Sequence, residues 1–200
     1  MIKKTLIALG LFTSLVGLKG CKEKLDTTKV YPYLITDHYP VESSIIMDTL
    51  GHGLFATLVY DLNGLVQNVR KSEIEQSGLT AKQVFEIARI NLDTALKSRQ
   101  ININRFDGPD GLPFILFSDH WLSATSILST NIEDFGKKNL NTDTVYASIP
   151  HRDVMLLFPK CQGKILEDFK KMIRDKESDG PKPLTFELFR LDKHKLMKIE

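Results

Sequence analysis

The chain has 200 residues, 42% of them apolar and 26% charged, the proportions of a folded globular protein rather than a disordered or low-complexity one. Its formal charge of +2 overstates its basicity: three of the 27 basic residues (Lys3, Lys4, Lys19) lie in the first twenty and none of the 25 acidic ones do, which leaves −1 for the rest. A near-neutral body lacks the clustered basic face that nucleic acid requires, so no nucleic-acid partner is expected.

Residues 1–20 read as a signal. Lys3 and Lys4 precede an uncharged apolar stretch over residues 5–18. That stretch is shorter than the about 20 residues of a membrane-spanning helix and fits the core of a secretory signal. Leu18-Lys19-Gly20-Cys21 then matches the cleavage box of a bacterial lipoprotein, in which the cysteine receives lipid and becomes the new N-terminus. Lys19 departs from the small or apolar residue usual there, and the competing readings are an uncleaved anchor or a signal cut elsewhere. Lipidation of Cys21 would place the protein on a membrane of the cell envelope, since each buried methylene contributes about 0.8 kcal/mol. Residues 21–29 are polar and read as a tether, and residues 30–200 as one domain. With Cys21 lipidated, Cys161 has no disulfide partner. A preceding lysine and a following helix start would lower its pKa, but a structural role is favoured because no partner histidine is marked.

Residues 30–35 (VYPYLI) predict an edge strand, because Pro32 cannot donate a ladder hydrogen bond. Residues 43–51 are expected to form a short helix. Residues 54–60 and 65–69 read as a hairpin around Asn63-Gly64, both tolerant of positive φ. Thr80 and Gln83 have capping-box spacing, and Val84, Phe85, Ala88, Leu92, Ala95 and Leu96 form the buried stripe of the following helix. Lys82, Glu86, Arg89, Asp93 and Lys97 fall on its solvent face. Strands are expected at residues 101–106 and 112–117, separated by a turn at 107–111. Ser123 is expected to cap a second helix with Ala124, Ile127, Leu128, Ile132 and Phe135 inward. Residues 144–149, broken by Pro150, lead to a strand at 154–158. A third helix carries Ile165, Leu166, Phe169, Met172 and Ile173, and residues 185–191 and 196–199 close the chain. The order suggests an α+β fold: one antiparallel or mixed sheet of about five strands, with about three helices mainly on one face.

These segments resemble a bacterial family of unknown function typified by YtpQ. The resemblance rests on residues 30–34 (VYPYL), 88–96 (ARINLDTAL), 113–128 (PFILF with ATSIL) and 147–158 (ASIPHRDVMLLF), and more loosely on the closing segments. It spans about residues 30–199, while the lipoprotein signal and short tether replace the longer N-terminal region of the family. It implies a fold and supplies no reaction.

Two tripeptides invite a functional reading. His151-Arg152-Asp153 has the letters of a kinase catalytic loop without its glycine-rich loop or DFG, so a structural bend or a ligand-binding corner remains. Asp119-His120-Trp121 follows a buried strand and could present a carboxylate, an imidazole and an aromatic face together. Asp107 and Asp110 lack the register of a calcium loop, and His38, His52, His120, His151 and His194 lack zinc spacing, so no metal and no cofactor are expected. No catalytic residue is assigned. The leading expectation is a non-enzymatic accessory module that binds another protein or a small ligand. The alternative is an envelope hydrolase using His151 and Asp153, or Asp119 and His120.

Overall fold

The structure, a computed structural model, describes residues 25–40, 42–62, 65–98, 101–180, 182–193 and 195–200. The signal at residues 1–20, Cys21, the Asn63-Gly64 turn and His194 lie outside the described residues. The α+β class stands. The strands, all antiparallel, are shared between sheets of four and six rather than gathered in one.

In the first sheet, β3 (Leu54–Leu62) is the spine. β1 (Val30–Thr36) runs along one side of it, and β2 (Met47–Gly51) and β4 (Leu65–Asn68) share the other. β1 is an edge strand, with Pro32 opposite Leu58. Its polar groups are met by side chains: Asn91 donates to the Val30 carbonyl at 2.8 Å, and the Leu34 N–H donates to the Thr125 hydroxyl at 3.3 Å. The packed region reaches back to Leu25, 6% exposed, so the last part of the stretch read as tether belongs to the domain. Residues 43–51 do not form the expected helix: residues 47–51 pair with β3, a partner that local propensity does not register.

α1 (Lys71–Ser77), absent from the sequence expectations, starts where Glu73 accepts from the Arg70 N–H at 2.7 Å, and ends at Gly78 with φ 77. α2 (Ala81–Lys97) begins with the predicted reciprocal box. Thr80 N–H donates to Gln83 at 2.8 Å and Gln83 N–H to the Thr80 hydroxyl at 3.3 Å, a cap worth about 1 kcal/mol. Val84, Phe85 and Ala88 bury with Ile74, Ala56 and Leu58 on one face of the first sheet, and Leu92 and Ala95 reach the second core. Asp93 is not on the solvent face. It is 8% exposed and accepts from Ser129, Thr130 and Asn131.

The second sheet comprises β5 (Asn102–Asp107), β6 (Pro113–Ser118), β7 (Val145–His151), β8 (Val154–Pro159), β9 (Pro183–Asp192) and β10 (Lys195–Lys198). Their order across the sheet is β10-β9-β7-β8-β6-β5. Both faces are apolar, so both are covered. Phe169 and Ile173 of α4 (Lys164–Glu177) pack on Phe158 and Leu188 on one side, with Phe169 stacked 4.5 Å from Phe158. Truncating the fully buried Phe169 to alanine would cost about 3–5 kcal/mol. On the other side, Ile132 and Leu140 of α3 (Ile132–Leu140) and a 3-10 helix (Ala124–Leu128) meet Phe117, Met155, Leu157 and Phe189. The helices therefore do not gather on one face. The helix expected from Ser123 is split in two, and Ser123 makes no cap bond. The Asp93 carboxylate takes the Ser129 hydroxyl and the Thr130 N–H, which holds Ser129 extended (ψ 140) and ends the first piece.

Candidate functional site

The β6 strand ends at Ser118, and the chain turns through Asp119, whose φ of 61 is a conformation few non-glycine residues adopt. One Asp119 oxygen accepts from Ser118 at 2.9 Å and from Asn102 at 3.2 Å. His120 follows. Its Nδ1 accepts from the Leu122 N–H at 3.1 Å, which puts the proton of the neutral ring on Nε2. Burial pushes the His120 pKa below its ordinary value, against the pull of Asp61 and Asp153. Trp121 stacks on His120 at 5.8 Å and meets Tyr31 edge-on at 5.8 Å and Tyr33 at 6.0 Å. This loop thus docks on the face of the first sheet that carries Tyr33, Ile35 and Val59.

The opposite wall is the β7–β8 hairpin. β7 does not stop at Pro150; it shifts register between Ser148 and His151, a bulge that accommodates the proline. Arg152 and Asp153 form the two-residue turn. The Arg152 N–H donates to the Lys182 carbonyl, and its own carbonyl accepts from Ala124, so the turn is fixed from both sides. His151 Nε2 lies 2.7 Å from Glu177 Oε2 at the end of α4. Gly180 presses on the same ring; a Cβ there would stand 2.2 Å from His151 Cδ2. The Arg152 guanidinium lies 4.6 Å from the Tyr33 ring centre and 5.3 Å from that of Tyr39, and forms no ion pair among the described residues. Burial raises the Tyr33 pKa, with the Arg152 charge pulling against it.

Between these walls lies a cleft of about 520 Å³, lined by Asp119, His120, Trp121, His151, Asp153 and Val154. That volume falls within the about 300–1,000 Å³ of small-molecule sites. The fold therefore joins two tripeptides more than thirty residues apart in sequence. Arg152 is the member left out of the lining, turned instead onto the tyrosines. Ser123 Oγ, Ser148 Oγ, His151 Nδ1 and Arg152 Nε are buried without a hydrogen-bond partner among the described residues. An unpaired buried polar atom costs about 1–3 kcal/mol, so native proteins hold few. Here all four belong to the hairpin or to the segment docked against it.

Glu177, Gly180, Tyr31 and Tyr33 were not foreseen as part of this corner. The alternation of Tyr31 and Tyr33 on one strand face was the available signal for the last two. Cys161 is 8% exposed beside α4, and burial raises its thiol pKa rather than a helix end lowering it. Asp110 lies in a 3-10 turn (Pro109–Gly111) just after Asp107 ends β5, and among the described residues no group of three His, Cys, Asp or Glu side chains could hold a metal ion. No family model matches the chain, and neither a curated protein nor a solved structure matches it.

Proposed function

We propose that the chain is a lipid-anchored accessory protein of the bacterial cell envelope, held to the membrane through Cys21, that binds a small polar ligand or a side chain of a protein partner in the cleft. The observation that carries this reading is the meeting of Asp119, His120 and Trp121 with His151 and Asp153 around one opening. The Asp153 carboxylate has no hydrogen bond or ion pair among the described residues, His120 offers Nε2–H, and Trp121 offers a ring face. Those groups suit a ligand with donors and an apolar edge. Membership of the YtpQ-like family belongs to the same proposal, since its most specific motif, residues 147–158, forms the hairpin wall.

The hydrolase alternative draws on the His151–Glu177 pair, because a carboxylate held to an imidazole is how many general bases are oriented. Binding is favoured over turnover because His151 Nδ1 is sealed from solvent and His120 Nδ1 is occupied by Leu122. The test is crosslinking in cells from a photoreactive residue at position 153, followed by capture through a C-terminal tag. One adduct, lost when the crosslinker is moved to the exposed Ile90, is expected. No adduct from well-expressed protein would defeat the binding role. The anchor is tested separately: Cys21→Ala should abolish acyl labelling.

A further inference from the structure

We infer a second binding site, for a small apolar molecule carrying one anionic group, between α2, α3 and the β5–β6 edge of the second sheet. A cavity of about 250 Å³ opens there, walled by Leu96, Ile103, Phe117, Ile132 and Phe135. An apolar cavity of about 150 Å³ takes up benzene, so this one has room for roughly a fused pair of rings. Phe117 and Phe135 meet edge to face at 5.8 Å in its wall, an arrangement that favours packing of a further ring.

The Asp93 carboxylate at the cavity is already committed. One Asp93 oxygen accepts from the Ser129 hydroxyl at 2.5 Å and the Thr130 N–H at 3.1 Å; the other accepts from the Thr130 hydroxyl and, at 3.2 Å, from Asn131 Nδ2. A ligand donor directed at Asp93 would give up water and find its acceptor already taken. The anionic group is called for by the Lys97 ammonium, which lines the cavity, is exposed, and has no ion pair among the described residues. The acid at its i−4 position, its natural helical partner, is Asp93, which is turned inward to the 129–131 loop. An apolar chamber with an uncommitted cation at its mouth selects an apolar body with an anionic head. The cavity shares no residue with the cleft, so the two sites stand or fall separately.

The experiment titrates 2-naphthoate, and its uncharged counterpart 2-naphthol, into the full chain made without acylation by Cys21→Ala. Methyl NMR of Leu96, Ile103 and Ile132 locates the site. Saturable shifts at those methyls are expected, with 2-naphthoate bound about tenfold more tightly. Lys97→Gln, an exposed change, should erase the preference, and filling the cavity with Ile103→Trp should abolish both. If that variant does not fold, Leu96→Phe serves in its place. Absent or unsaturable shifts at these methyls, or shifts confined to Val154 and the cleft, overturn the site. Equal affinities for the two probes overturn its anionic specificity.

Discussion

Asp93 on α2 and Arg152 on the β7–β8 turn are equally buried, each 8% exposed, yet their surroundings differ in kind. Asp93 has every acceptor direction filled by residues 129–131 and so ties α2 to the start of α3. Arg152 is held by the faces of Tyr33 and Tyr39, its Nε has no partner, and two of the three other unpartnered buried polar atoms belong to its own hairpin. A saturated polar cluster is scaffolding, because any ligand would have to break it. An unsaturated one carries a desolvation cost of about 1–3 kcal/mol per unpaired atom, so the cleft-side hairpin is held at an expense that the Asp93 cluster does not bear.

The largest expected effect is at the saturated cluster. Asp93→Ala leaves the Ser129, Thr130 and Asn131 donors without an acceptor and should cost about 3 kcal/mol in denaturant unfolding. A loss below about 1 kcal/mol would erase the contrast. Gly180→Ala forces a methyl into the His151 ring and should cost about 2 kcal/mol, with loss of the His151–Glu177 contact in histidine NMR. Arg152→Met keeps the stem and removes the charge. The ring contacts and the hydrogen bond to Tyr33 are lost, so stability should fall by about 1 kcal/mol while crosslinking from position 153 changes. A loss matching that of Asp93→Ala would make Arg152 scaffolding too.

The smallest effect concerns pH. Burial holds the His120 pKa below its ordinary 6.5, with Asp61 and Asp153 opposing. The unfolded chain then binds the proton more readily, so His120 takes stability away as pH falls through 6.5 toward the folded-state pKa. An NMR midpoint below 6.5 and a Tm that declines over that window are expected. A midpoint above 6.5 would mean the two carboxylates outweigh burial.

Much of this was legible in the chain. Thr80 and Gln83 announced α2 because a capping box is local, and Pro32 announced an edge because its missing N–H is local. The departures come from distant partners. Helical spacing put Asp93 beside Glu86 and Lys97, and only a loop thirty-six residues later brings it indoors. Residues 47–51 became β2 because β3 lay open to pair with them. Both tripeptides of the cleft could be picked out by residue type. That they would face each other could not, because their meeting depends on how a hairpin of one sheet docks against a loop seated on the other.

The outer margin of β1 has a consequence for the protein's conduct at high concentration. Exposed strand edges invite strands from neighbouring molecules and seed aggregates. Here Pro32 offers no donor, Asn91 occupies the Val30 carbonyl and Thr125 occupies the Leu34 N–H. An incoming strand would find the ladder blocked at three successive outward positions. Copies of the chain crowded together would thereby be kept from extending the first sheet by strand addition at this margin.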